Sequence, residues 1–188
     1  MEKLTLVLVL VVLVGAIAVY LSSLAGRIDR LHHRIETAHA GLDAQLLRRA
    51  AAAQDLASSG FLDPASALLL SSAAQETLVV NGDDDEARSP AESELTRSLG
   101  VLLGEREDVD AILEDAGTDA PVAEQLVTEL AVACRRVELA RRFHNDIVRS
   151  CVHVRRKRIA RWFGLAGHTA MPTTIDFDDT VPAGLDGR

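Results

Sequence analysis

The chain has 188 residues, with 48% hydrophobic, 26% charged and only 3% aromatic side chains, and a net charge of −8. So little aromatic content, with Ala, Leu, Val and Arg abundant, argues against a β-sheet fold and for helices. The two cysteines, Cys134 and Cys151, fall 17 residues apart in one helical pattern, roughly 25 Å along the axis and too far to bridge, and read as small core residues.

The stretch Leu4 to Leu24 is apolar apart from Thr5, Gly15, Ser22 and Ser23. As a helix it reaches roughly 30 Å, enough to cross the hydrocarbon core of a bilayer. Lys3 before it and the small-x-small triplet Ala16-Ile17-Ala18 also suit a cleaved signal peptide. The apolar run, however, continues through Val19, Tyr20 and Leu21 and exceeds the usual signal-peptide core. The sequence therefore predicts a signal-anchor transmembrane helix over residues 1–24. Arg27, Arg30 and Arg34 follow the run closely, whereas only Lys3 and the amino terminus precede it. The positive-inside tendency then puts a short N-terminus outside and the bulk of the chain in the cytoplasm, as a single-pass protein of the plasma or inner membrane.

Beyond the span, two seven-residue rows, Leu24, Leu31, Ala38, Gln45 and Ile28, Ile35, Leu42, Arg49, give a coiled-coil-like seam that turns polar at its far end. No proline interrupts residues 4–62, so span and seam read as one rod with Gly26 as the point of bending. A second helix opens at Asp63-Pro64 and closes at Asn81-Gly82, and a third opens at the capping box Ser89-Pro90-Ala91-Glu92 and weakens near Gly104. Residues 105–119 read as an acidic loop with a short helical piece from Val109 to Leu113. Pro121 starts the last long helix, whose rows Leu126, Ala133, Ala140, Ile147, Val154 and Leu130, Val137, His144, Cys151 again repeat every seven residues. The expected fold is all-α: an N-terminal transmembrane helix followed by an antiparallel up-and-down four-helix bundle over 25–163, with a mostly disordered tail over 164–188.

Charge is segregated along this plan. Gly82 to Glu124 carries 14 acidic and 3 basic residues, and Gln125 to Phe163 carries 3 acidic and 10 basic ones. The basic end, Arg155, Arg156, Lys157, Arg158, Arg161 and Trp162, returns toward the membrane in an antiparallel bundle. There it reads as helix-end charge or as a lipid-facing patch, with nucleic acid not expected.

No motif marks a catalytic centre. There is no HExxH, no closed zinc spacing, no phosphate-binding glycine loop, no EF-hand and no nucleophile elbow, so neither metal nor cofactor is expected. His144 on the seam reads as a core histidine with a hydrogen-bond partner, and His32 and His33 as solvated.

Two blocks carry a resemblance. LHHRIETAHAGLDAQLLRR, Leu31 to Arg49, and ELARRFHNDIV, Glu138 to Val148, followed by the Phe163-Gly164 break, resemble the signature blocks of the LemA family. The positions that match its pattern are Arg34, Asp43, Gln45, Arg48 and Arg49 on the first helix and Ala140, Arg141, Phe143, Asn145, Asp146 and Val148 on the last. His39 and His144 depart from the family's aromatic and tyrosine, and Ala50 to Gln54 departs from its Asp-Leu-Ile-Pro segment, which marks a divergent member. The resemblance implies a membrane helix and a helical bundle without a defined activity. The functional expectation is a non-enzymatic single-span protein serving membrane organisation or protein docking, with the lipid bilayer and an unidentified protein as partners. The alternatives are a ligand-binding or enzymatic bundle with a polar site at Arg48, Arg49, Asn145 and Asp146, and a bundle secreted after signal cleavage. Setting Phe163 beside Leu24 makes positions that add to about 187 neighbours, which brings Asp146 near Gln45 and Arg49.

Overall fold

A computed structural model of the chain describes residues 2–80, 85–156 and 170–187, with the side chains of 85 and 86 excepted. The helix end expected at Asn81-Gly82 and the residues Lys157, Arg158, Arg161 and Trp162 lie outside the described residues. The described chain is all-α, without strands: α1 Glu2–Ser58, α2 Pro64–Val79, α3 Asp85–Leu102, α4 Arg106–Ala116 and α5 Ala120–Arg155, with two short 3-10 turns at Gly117–Asp119 and Ala183–Leu185. The long apolar N-terminal helix packs, beyond its exposed first part, against later helices.

Local sequence explains most boundaries. α1 runs unbroken through Gly26, because one glycine costs only about 1 kcal/mol against alanine and no proline interrupts the ladder. α2 starts where Asp63 Oδ1 accepts from the backbone N–H groups of Ala65 and Ser66, at 3.0 and 3.2 Å, with Pro64 in the first turn.

Two boundaries differ from expectation. α3 begins at Asp85, before the Ser89-Pro90 signal, so Pro90 lies inside the helix. Arg88 in the added turn reaches across to Asp43 on α1 at 2.5 Å, a tether that a cap at Ser89 would not provide. Residues 105–119, expected as a loop with a short helical piece from Val109 to Leu113, contain the longer, eleven-residue α4. Its start is fixed by the Glu105 N–H donating to Asp108 Oδ2 at 2.9 Å, and its apolar stripe of Val109, Ile112 and Leu113 packs on the core.

The chain divides into two compact units, Met1–Thr37 with Asn145–Thr174, and Ala38–His144 with Ile175–Arg188. In the first unit Leu24, Ile28 and Val154 form a small core, with Leu31 packed against it. Residues 2–20 of α1 are all exposed, Leu4 at 77% and Val19 at 71%, so the apolar run has no covering protein surface here.

The second unit holds the main core. Ala53 and Leu56 of α1, Leu70 and Ala74 of α2, Leu95, Leu99 and Leu103 of α3, Val109 of α4 and Val127, Leu130 and Ala131 of α5 are all buried in it. Within this unit α1 and α5 are antiparallel, since His39 meets His144, Leu42 and Leu46 cluster with Val137, and Ala53 and Leu56 cluster with Val127 and Leu130. His39 and His144 add to 183, so the pairing is about one turn away from the expected 187. The described part of the tail is also a correction. Residues 170–182 are irregular, yet Ile175, Phe177 and Leu185 are buried, the first two against Leu42, Leu46 and Val137. Three well-spaced apolar residues, with hydrogen bonds from the helices, offset the ordering entropy that the low periodicity of 164–188 suggested would win.

Candidate functional site

Each signature residue takes up a definite position, and the positions fall into separate groups. Arg49 is 1% exposed on α1, where its helix faces α3. One terminal nitrogen donates to Glu92 Oε2 at 2.6 Å and to the Glu92 carbonyl at 3.1 Å, while the other donates to Thr96 Oγ1 at 3.0 Å. Glu92 is equally buried, and Thr96 Oγ1 lies 2.6 Å from the Asp178 carbonyl of the tail, to which it donates. Arg49 Nε and Gln45 Oε1 are buried without a hydrogen-bond partner, which leaves this cluster polar but incompletely satisfied.

A second group is a chain of contacts along α1. His144, 2% exposed, sets its ring edge-on to His39 with centroids 5.7 Å apart. His39 Nδ1 is 3.1 Å from Asp43 Oδ2, and Asp43 Oδ1 accepts from Arg88. His144 is thus a core histidine, as its seam position implies. Asp43, Arg88 and Glu92, together with Leu46, Leu47, Ala50, Thr77, Leu78 and Val80, line a cavity of about 210 Å³.

The third group holds the tail. Arg141 grips Asp179 with two bonds, Nε to Oδ2 at 2.7 Å and a terminal nitrogen to Oδ1 at 2.8 Å, and reaches Asp176 at 3.4 Å. Its guanidinium also lies 5.5 Å from the centroid of the Phe177 ring. The Asp179 hydrogen bond is the main cause holding the Arg141 pKa above its ordinary value. Arg135 donates to the Leu185 carbonyl at 3.1 Å, and Ser93 Oγ accepts from the Asp178 N–H.

The remaining predicted positions are quieter. Arg34 and Phe143 are exposed, the latter at 60%, and Arg48 lines a shallow groove with Arg136, Asp55 and Glu129. Asn145 is buried, whereas Asp146 is exposed and pairs with Arg149 of its own helix at 2.9 Å. Arg49 bonds to α3 and Asp146 bonds to its own helix. These two pairs stand in place of the expected ion pair between Arg49 and Asp146.

In the first unit Arg155 is also a correction. It is 9% exposed, donates to the Ala170 carbonyl at 2.6 Å and lies 3.2 Å from His32 Nε2, and so is taken up by protein where a lipid-facing cation was expected. His32 is half-buried by the same contact, while His33 stays exposed beside Glu36. Arg156, by contrast, is exposed. It lines a groove of about 500 Å³ with Val148, Arg149, Val152, His153, Pro172, Thr173 and Thr174.

Sequence reasoning missed Arg88, Glu92, Thr96, Asp176, Asp179 and Arg149. Glu92 had a signal of its own, but its spacing from Ser89 pointed to a cap. The tail aspartates carried the alternating pattern Ile175-Asp176-Phe177-Asp178, which is the mark of an extended segment with one face down.

Among the described residues no cluster of three or more His, Cys, Asp or Glu side chains has the arrangement of a metal site. Cys134 and Cys151 are free and buried, and loss of solvent pushes both thiols above their ordinary pKa, away from nucleophilic character. No protein-family model, no curated protein and no solved structure matches this chain.

Proposed function

We propose that the protein is a non-enzymatic, single-span membrane protein, a divergent LemA-like chain in which a cytoplasmic antiparallel up-and-down four-helix bundle serves as a docking or membrane-organising platform. The observation that carries this reading is the contrast within α1. Residues 4–20 are apolar apart from Thr5 and Gly15 and are exposed throughout, and the same helix from Leu24 onward contributes to buried cores. A long exposed apolar helix is costly in water and favourable in a bilayer. The cations Arg27, Arg30 and Arg34 directly after the run support a cytoplasmic bundle.

The polar groups support docking over turnover. Arg49 is held by Glu92, and Arg141 by Asp179. These charges are committed to structure, and the buried cysteines are held as thiols. Two exposed apolar residues one turn apart on α5, Leu139 at 63% and Phe143 at 60%, give a surface for a protein partner. Protease added to spheroplasts tests the orientation. Cleavage only after the membrane is permeabilised fits a cytoplasmic bundle, and cleavage of the bundle from outside overturns it.

A further inference from the structure

We propose that the groove formed by Arg149, His153, Arg156, Thr173 and Thr174 binds the phosphate of an anionic membrane-lipid headgroup. The inference rests on the membrane reading above and names the ligand class for the face of the protein nearest the bilayer.

Arg149, Val152 and His153 fall three and four residues apart on one face of α5, and Arg156, just past its end, continues that face with its N–H bonded to the Val152 carbonyl. The segment Pro172 to Thr174 forms the opposite wall, and no carboxylate is among the described lining residues. The floor is apolar, with Val148 1% exposed, Val152 half-buried and Pro172 at its edge. Cations and hydroxyls at the rim over an apolar floor match a molecule with a phosphate at one end and hydrocarbon at the other. Asp146 holds Arg149 only through an exposed pair, 72% and 67% accessible, which a phosphate can displace at little cost.

Depth in the membrane supports the lipid source over a soluble one. Val154 packs against Leu24, Ile28 and Leu31, so α5 reaches the level at which the apolar run of α1 ends. With about 1.5 Å per residue, Arg156 lies roughly 3 Å beyond that end, His153 roughly 8 Å and Arg149 roughly 14 Å. The headgroup layer is about 5–8 Å thick on each side of the hydrocarbon core, so Arg156 and His153 fall within or at its edge and the Arg149 backbone about 6 Å above it.

The full chain in a non-ionic detergent, titrated with phosphatidylglycerol, phosphatidylcholine or glycerol phosphate and read by native mass spectrometry, tests this. The expected result is one phosphatidylglycerol per chain, held at least about tenfold better than phosphatidylcholine or glycerol phosphate. Arg149→Gln with Arg156→Gln should abolish that preference, and Asp146→Asn should keep or strengthen it. Should the double variant melt early, Thr173→Val with Thr174→Val decides, with a several-fold loss expected. Equal retention of the two lipids, or a preference unchanged in the variants, overturns the proposal. Glycerol phosphate bound as well as the lipid assigns the groove to soluble phosphates and overturns the lipid source. A chain that alkaline carbonate strips from membranes fails the membrane reading, whereas a chain that stays but shows no lipid preference fails this proposal alone.

Discussion

Removing the Glu92 carboxylate is the sharpest perturbation of the second unit. Glu92 and Arg49 are each 1% exposed, and the guanidinium keeps only Thr96 and a backbone carbonyl once the carboxylate is gone. Its Nε already lacks a partner, so Glu92→Leu leaves a buried cation with fewer acceptors than donors and without its hydrogen-bonded counter-charge. Breaking a buried pair from one side costs about 3–5 kcal/mol. For a chain of this length that corresponds to a fall of roughly 6–20 °C in melting temperature. Replacing both partners, Arg49→Met with Glu92→Leu, removes the stranded charge and should recover most of the loss, because apolar substitutes avoid the desolvation of two ions. Thermal and urea melts of the full chain in detergent, followed by circular dichroism, measure all three proteins. A single variant that loses less than about 1 kcal/mol, or a double variant no better than the single, would refute the claim that this pair is a desolvated, mutually dependent unit.

Four further outcomes follow from the same contacts. Arg141→Ala should free the tail from Asp176 and Asp179, cost about 1–3 kcal/mol, and raise hydrogen exchange across residues 175–186 with little change in α2. The Asp178 carboxyl is held below its ordinary pKa, chiefly by the Thr180 hydroxyl and also by the Thr180 N–H. Its contribution to tail docking is therefore present above the unfolded carboxylate range and is lost as pH falls through the folded value, and limited proteolysis of the tail from pH 6 down to 3 should show cleavage only at the acid end. Cys134 should resist iodoacetamide at pH 8 and react once the chain is denatured, since burial raises its pKa, and equal rates in the two states would contradict its placement. Gly184→Ala should destabilise by about 1–3 kcal/mol, because a Cβ there would stand 2.3 Å from the Glu105 carbonyl oxygen and would push the tail turn off the loop before α4; an unchanged melting temperature contradicts that close approach.

The elements that repetition and capping specify were legible in the sequence. Asp63-Pro64 and the seven-residue rows of the first and last helices need only local chemistry, and α1, α2 and α5 appear where those signals lie. The register was not legible to within a turn, because Phe163 and Leu24 were paired by symmetry, whereas the side chains that fix the pairing, His39 and His144, are far apart in sequence. The site was legible in part. Arg49 and Arg141 were singled out through a resemblance, but their partners Glu92 and Asp179 sit 43 and 38 residues away on elements whose apposition no local pattern encodes. Glu92 also satisfied a capping rule, and the competing local reading concealed its long-range role. The tail was misjudged because composition reports the average cost of ordering a segment, whereas three apolar residues and a bidentate arginine decide its docking.

The central claim is that the exposed apolar part of α1 stays attached and crosses a bilayer. Membranes from cells that express the full chain, washed with alkaline carbonate and analysed by peptide mass spectrometry, test it most directly. The account predicts that the protein remains in the pellet together with peptides from residues 2–24. A soluble chain, or a pelleted chain whose N-terminus begins near Val19, would contradict it.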